Sequence, residues 1–212
     1  MKRLMVLLLL ILMIVALCGC SLFYTAYDSV IPSKLTRGIV EENVYTSAYA
    51  SLVFTAPEGW IYVTDDDLAK LMDLSVDSFS DAGMEFSEDA LKKQTLYDMM
   101  CQDGVTGSSV LLLYENLALT GNTSISETDY IKEAIKLLDK AQTVQYEFSE
   151  ITQEELCGQT YYVMTADMVD YVASQKYYVR KIDKYMLCII VTVSGGVNGS
   201  DVMGCFTEYE AE

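Results

Sequence analysis

The hydrophobic positions in the second half of this chain follow two different periods. Between residues 131 and 138 they recur at i, i+3, i+4 and i+7, which predicts one face of an amphipathic helix. These positions are Ile131, Ala134, Ile135 and Leu138. The segment Ser126-Glu127-Thr128-Asp129 comes just before them and is similar to a capping box, so we expect the helix to begin there.

Strand patterns lie on both sides of this helix. An apolar run over residues 108–117 predicts a strand before it, and four strand patterns follow residue 143. They cover 145–151, a segment from Cys157 to Met168, 172–182 and 184–194. The link Ile182-Asp183-Lys184 is short enough for a tight hairpin. Leu187 to Val193 is apolar on both faces, which predicts a central strand covered on both sides.

The first part of the domain predicts a hairpin and short helices. Leu52–Thr55 and Trp60–Val63 are strand-like, and Pro57-Glu58-Gly59 between them is typical of a turn. We expect Thr64 to begin one helix and Ser87 to begin another from Glu88 to about Cys101. The apolar face of that second helix would consist of Leu91, Leu96, Met99 and Met100. A last short helix is expected after Ser200, with Val202, Met203 and Phe206 inward.

This order of elements predicts an α+β fold in which a mainly antiparallel sheet is flanked by helices. The predicted domain occupies residues 39–212. No repeat period interrupts it, and the length fits one domain.

The first twenty residues carry a targeting pattern. Lys2 and Arg3 precede an unbroken apolar run from Leu4 to Leu17, and Gly19-Cys20 follows. This arrangement resembles a bacterial lipobox, so we interpret 1–19 as a signal peptide and Cys20 as the lipidated residue. Residues 20–38 then form a tether. A transmembrane helix is the alternative, but a span needs roughly 20 apolar residues and this run is shorter. The expected location is the extracytoplasmic face of the cell membrane.

The amino-acid composition excludes several classes of function. The formal net charge is −17, which repels phosphate backbones and argues against nucleic-acid partners. The chain contains no histidine, so Ser-His-Asp and Cys-His catalysis and imidazole metal sites are excluded. Nothing in the sequence predicts a cofactor.

Four cysteines remain after Cys20, with no CxxC spacing. We expect mainly buried thiols, with one structural disulfide as an alternative. These cysteines are Cys101, Cys157, Cys188 and Cys205.

Three groups of residues are candidate sites. Asp65, Asp66 and Asp67 offer hard oxygen ligands for calcium, although helix capping explains consecutive acids at a helix start better. A second group of tyrosines on neighbouring strands predicts a binding surface, against the alternative of ordinary cross-strand pairing. Its members are Tyr161, Tyr177, Tyr171 and Tyr185. The third group is a set of acids for glycoside cleavage, which we consider the weakest. Its members are Glu115, Asp167 and Asp170.

Three segments carry a resemblance to a known family. They are the Tyr45–Trp60 segment with its Pro-Glu-Gly-Trp ending, the run Tyr114-Glu115-Asn116-Leu117, and the predicted hairpin over residues 175–195. Together they resemble uncharacterised lipoproteins of clostridial type from Gram-positive bacteria, with a Mog1/PsbP-like α/β/α sandwich. The resemblance covers about residues 44 to 208. It implies a binding or accessory role and supplies no catalytic residue.

The function expected from the sequence is therefore a membrane-anchored, non-catalytic accessory or binding module with a protein or small-ligand partner. Two alternatives stay open. One is a domain that senses cations or ligands through its acids, and the other is a carboxylate-dependent hydrolase of wall polymers.

Overall fold

The computed structural model describes residues 35–81, 85–141 and 144–210. The lipidation residue Cys20, the signal peptide 1–19 and residues 20–34 of the tether lie outside these ranges. Among the described residues, no helix combines the length and the apolar character that a membrane crossing requires.

The described residues form many strands and few helices. The strands are β1 (Ile39–Glu41), β2 (Val44–Ser47), β3 (Leu52–Thr55), β4 (Trp60–Tyr62), β5 (Ser80–Asp81), β6 (Glu85–Phe86), β7 (Thr95–Asp103), β8 (Ser109–Asn116), β9 (Tyr146–Phe148), β10 (Thr152–Leu156), β11 (Gln159–Met168), β12 (Ala173–Ile182), β13 (Tyr185–Ser194) and β14 (Phe206–Glu208). The helices are α1 (Asp65–Leu71), α2 (Glu88–Leu91), α3 (Glu127–Lys140) and α4 (Gly199–Met203), with a 3₁₀ turn at Val76–Ser78. The named strands pair antiparallel, which confirms the α+β class.

An eight-stranded sheet forms the centre of the domain. Its order is β10-β11-β12-β13-β8-β7-β4, and β9 also pairs with β11. The predicted hairpin of β12 and β13 is confirmed, with Ala173 opposite Ser194 and Ile182 opposite Tyr185. β13 is buried from Tyr185 to Thr192 and β8 along its whole length, so both faces of the middle of the sheet are covered as predicted.

A smaller sheet covers one face of the large sheet. Its order is β1-β2-β3-β14, and in β2 and β3 the buried positions alternate with less buried ones, as expected for a half-buried sheet. Contacts across the two sheets are aromatic and polar. The rings of Tyr49 and Tyr114 meet edge to face at 5.6 Å, and the hydroxyl oxygens of Ser47 and Tyr114 are 3.5 Å apart.

Helix α3 covers the opposite face, and its prediction is confirmed. Its buried residues are Ile131, Ala134 and Leu138. The backbone N–H of Asp129 donates to Ser126 Oγ at 3.1 Å, which provides the expected N-terminal cap. The N–H of Lys181 donates to Glu127 Oε1 at 3.2 Å and fixes the start of the helix against β12.

The predicted helix from Glu88 to Cys101 is wrong beyond its first turn. Ser87 caps α2, but α2 ends at Leu91 and the remaining residues form β7. β7 is buried from Thr95 to Cys101 because it lies in the covered part of the sheet. A strand buried on both faces has apolar residues at every spacing, including the helical ones.

The predicted hairpin between Leu52–Thr55 and Trp60–Val63 is also wrong. Both strands form, but β3 pairs with β2 and β14, whereas β4 pairs with β7. The turn at Pro57-Glu58-Gly59 therefore carries the chain from the small sheet to the large one. Near the C-terminus, Asn198 rather than Ser200 caps α4, and Phe206 begins β14.

Candidate functional site

The three aspartates at the start of α1 are held by two different cations. Both terminal nitrogens of Arg37 donate to the Asp65 carboxylate, at 2.8 and 2.7 Å. Lys70 is ion-paired with Asp66 and Asp67, and its hydrogen bond lowers the pKa of Asp67. The N–H of Asp67 also donates to Thr64 Oγ1 at 3.3 Å. Capping and ion pairing thus explain these acids, and within the described ranges no group of three or more acids or cysteines is placed to hold a metal.

Three of the four predicted binding tyrosines are buried, so the tyrosine surface proposed from the sequence is wrong at these positions. They are Tyr161, Tyr177 and Tyr185. Adjacent strand residues do point to opposite faces, but both faces of these strands are covered. Tyr161 packs beneath the guanidinium of Arg180, 5.2 Å from ring centre to Cζ, and burial raises its pKa to about 12. Tyr177 donates from its hydroxyl to Gln175 Oε1 at 2.9 Å.

The fourth tyrosine lies on an unusually apolar hairpin loop. Tyr171 is 45% exposed in the connection between β11 and β12, with Val169 47% exposed and Val172 86% exposed. Hairpin loops are normally polar, because their side chains face water. This loop therefore exposes apolar side chains that do not pack fully against the rest of the domain.

A second loop adds an exposed valine at the same end of the sheet. Val105 lies between β7 and β8 and is 76% exposed. Its loop is joined to the end of β13, because Ser108 Oγ donates to the carbonyl of Ser194 at 3.2 Å and Ser194 Oγ donates to the carbonyl of Thr106. Ser194 is in turn near the start of β12, opposite Ala173. We call Val105, Val169, Tyr171 and Val172 together the valine–tyrosine end.

A groove opens beside the valine–tyrosine end. It has a volume of 330 Å³. The residues lining it are Asp167, Met168, Tyr171, Val172, Ala173, Ser174, Val193, Ser194, Gly196 and Val197. Most of these side chains are apolar, and Asp167 is the charged one among them. Clustered apolar surface next to a concave site is the usual mark of a binding surface in a folded domain.

The acids considered for glycoside cleavage do not meet. Glu115 is buried at the far end of β8, where Thr95 Oγ1 donates to it at 3.1 Å and burial raises its pKa. Asp167 and Asp170 are exposed. The strand register places Glu115 and Asp167 more than roughly 20 Å apart, from about 3.3 Å per residue and 4.8 Å per strand. Paired catalytic carboxylates stand about 5 to 10 Å apart.

A buried carboxylate that the sequence analysis missed lies in the middle of β7. Asp98 accepts a 2.6 Å hydrogen bond from the hydroxyl of Tyr45 and 3.1 Å bonds from the N–H of Gly38 to both of its oxygens. Arg37 Nε lies 3.7 Å from Asp98 Oδ1. Burial raises the pKa of Asp98 to about 6, because removal from water outweighs these favourable contacts.

The same contacts fix the first described residues of the chain. Arg37 is buried, bridges Asp65 and Asp98, and places its guanidinium 4.3 Å from the centre of the Phe79 ring. Leu35 is also buried, so residues assigned to the tether from sequence pack into the domain. We call Arg37, Gly38, Asp65 and Asp98 the Arg37 clamp. Its groups are hydrogen-bonded to one another except for Arg37 Nε, which is buried without a hydrogen-bond partner among the described residues, and this arrangement is a structural role.

The four described cysteines form no disulfide bond. Cys101 and Cys188 are buried as predicted, whereas Cys157 and Cys205 are partly exposed. Burial raises the pKa of Cys101 to about 12 and that of Cys157 to about 11. Both thiols therefore stay protonated at neutral pH, which is unfavourable for nucleophilic chemistry.

Comparisons with known proteins show similarity at the level of structure. No protein-family model matches this chain, and no curated protein does. The structure is similar to the solution structure of cyanobacterial PsbP (CyanoP) from Synechocystis sp. PCC 6803, with a TM-score of 0.45 and 14% sequence identity. The similarity covers 87% of this chain and 98% of the CyanoP chain.

Proposed function

We propose that this protein is a non-catalytic binding module, held by a lipid on Cys20 at the outer face of the cytoplasmic membrane, which docks a protein partner on its valine–tyrosine end. The observation that carries the proposal is the exposure of Tyr171 and Val172 on the β11–β12 loop beside a groove, with the exposed Val105 at the same end of the sheet. Isolated exposed apolar residues are ordinary, but an exposed apolar cluster stabilises an interface when a partner covers it.

Membrane attachment rests on the sequence. The apolar run that ends in Gly19-Cys20 predicts lipidation, and a lipoprotein with more than one acyl chain stays stably in the membrane. The chain between Cys20 and Leu35 spans at most roughly 50 Å when extended. A module on such a tether reaches partners that stand on the same membrane.

The absence of catalysis is supported by how the reactive groups are engaged. The buried acids Asp98 and Glu115 are both hydrogen-bonded by neighbouring side chains or backbone, and neither lies in the groove. The cation-sensing alternative loses support because Asp65, Asp66 and Asp67 already bind cationic side chains.

Affinity capture from detergent-solubilised membranes tests this function. The bait is the full-length acylated protein, beside a Cys20→Ala form and a Tyr171→Ser/Val172→Ser double variant. The matched control is Val76→Ser, because Val76 is an exposed valine that lies outside the groove. We expect one stoichiometric protein that the double variant loses and the control retains.

Mass spectrometry of the bait shows in the same experiment whether Cys20 carries acyl chains. An unacylated Cys20 in the wild type contradicts the proposed attachment. A partner retained equally by the double variant contradicts the proposed surface.

A further inference from the structure

The groove beside the valine–tyrosine end combines two kinds of surface. Its walls include Tyr171, Val172 and Val193, and the Asp167 carboxylate stands at its side. Its volume of 330 Å³ lies at the lower end of the range for ligand pockets, about 300 to 1,000 Å³, and leaves space for one long side chain.

A second carboxylate stands directly beside Asp167. The antiparallel register places Glu147 of β9 opposite Asp167 of β11, and both residues are exposed. Side chains directly opposite each other on one face are about 5 Å apart, and like charges in such a pair are destabilising. Among the described residues, neither carboxylate has an ion pair or a side-chain hydrogen bond.

Some exposed acids of this chain are paired with lysines. Asp89 pairs with Lys92, Asp129 with Lys132 and Glu154 with Lys176, at 2.8 to 3.1 Å. Asp167 and Glu147 differ from these three pairs, because their two carboxylates face each other in the strand register and no described cation is paired with either. Departures from a local rule are expected where a partner supplies the missing group.

We infer that the groove receives a lysine or arginine side chain of the protein partner, with its apolar stem against Tyr171, Val172 and Val193 and its charged head between Asp167 and Glu147. This inference rests on the proposed function. Lysine and arginine have an apolar stem and a cationic head. The stem complements the apolar walls of the groove, and the head complements the carboxylates beside it. Charge-assisted hydrogen bonds to carboxylates are the stronger kind.

The same charges disfavour a lipid surface as the occupant. Apolar loop tips also occur on proteins that insert into membranes, but anionic headgroups would meet Asp167, Glu147 and Asp170 here. A protein that presents a basic residue within an apolar patch is the complementary partner.

Titration by NMR tests the inference with a defined probe. The probe is N-acetyl-L-arginine methylamide, and its uncharged isostere N-acetyl-L-citrulline methylamide is the comparison. We expect the arginine probe to shift backbone amides of residues 167–174 and 193–197 saturably, and citrulline to leave them unchanged. Asp167→Asn and Glu147→Gln should each weaken binding at least about fivefold, since each removes one charge-assisted contact. Glu41→Gln is the control, because Glu41 is an exposed acid on the small sheet.

Each of three results overturns the inference. The first is equal binding of the citrulline probe, and the second is an unchanged affinity in Asp167→Asn. The third is co-sedimentation with phosphatidylcholine vesicles that Val172→Ser abolishes, which would identify lipid as the occupant. If the capture experiment still shows a partner that depends on Val172 but not on Asp167, the inference fails and the proposed function stands. If no partner depends on Val172, the proposed function fails.

Discussion

The buried carboxylate of Asp98 should make the free energy of unfolding depend on pH in a defined direction. Its pKa is about 6 in the folded protein, against 3.8 for an ordinary aspartate. The folded state therefore binds this proton more tightly than the unfolded chain does. The contribution of Asp98 to stability rises as the pH falls through 6 and is complete below 3.8.

The size of this contribution follows from the two pKa values. At about 1.4 kcal/mol per pH unit, an ionised Asp98 costs the folded state about 3 kcal/mol relative to a protonated one. Between pH 7.5 and pH 4.5 the expected change is about 2 kcal/mol, because pH 4.5 lies about 1.5 units below the folded pKa and the rest of the gain comes at still lower pH. Acid should thus stabilise the folded domain through Asp98, even though protonation removes the charge attraction between Asp98 and Arg37.

Urea unfolding of wild type and Asp98→Asn isolates the pH-dependent contribution of Asp98 to the free energy of unfolding. The single tryptophan, Trp60, supplies the fluorescence signal. Packing differences between aspartate and asparagine do not depend on pH, and other carboxylates cancel in the comparison. The stability of Asp98→Asn minus that of wild type should fall by about 2 kcal/mol from pH 7.5 to pH 4.5. A difference that stays constant within about 0.5 kcal/mol would refute the reasoning that burial dominates at this site.

Three further predictions concern stability. Gly38→Ala should destabilise the protein by about 1 to 3 kcal/mol in urea unfolding, because a Cβ there would lie 2.1 Å from the Tyr45 ring. Gly104→Ala, which meets no atom within 4 Å, should change little, and equal effects at both glycines would contradict the steric argument. Tyr45→Phe should cost about 1 to 3 kcal/mol through its lost hydrogen bond to a buried carboxylate. Tyr161→Phe should be neutral or stabilising, because the Tyr161 hydroxyl is buried without a hydrogen-bond partner in the part of the chain that the structure describes. Millimolar calcium should leave the melting temperature unchanged, because the Asp65–Asp67 carboxylates are already paired; a rise would restore the metal-binding alternative.

Elements whose pattern was local and complete could be predicted from the sequence. Helix α3 has its cap, its apolar face and its charged face within one continuous segment, and the β12–β13 hairpin has its turn and both strands in sequence. The prediction failed where a partner strand comes from elsewhere. β4 and β7 pair across a long sequence separation, and nothing in the Pro57-Glu58-Gly59 turn encodes that choice.

The candidate site was predicted only in part, for a related reason. The sequence analysis predicted a binding surface from Tyr171 and three other tyrosines, and the structure buries those three. Strand alternation specifies the face on which a ring lies but not whether another layer covers that face. The pattern Val169-Asp170-Tyr171-Val172 between two strands was a usable signal, since a hairpin loop with three apolar residues is unusual. Asp98 gave no such signal, because a lone acid within an apolar run does not reveal its partners.

The Arg37 clamp also determines how the domain responds to a mechanical force that pulls on its N-terminal side. A pull on the chain from the side of Leu35 reaches Arg37 and Gly38 before it reaches the ladder between β1 and β2. Because Arg37 is buried and bridges two carboxylates, it must leave the interior before the three-residue strand β1 can peel away. The attachment point is thus reinforced where force enters the protein, and mechanical failure begins with an ion pair and not with a zipper of backbone hydrogen bonds.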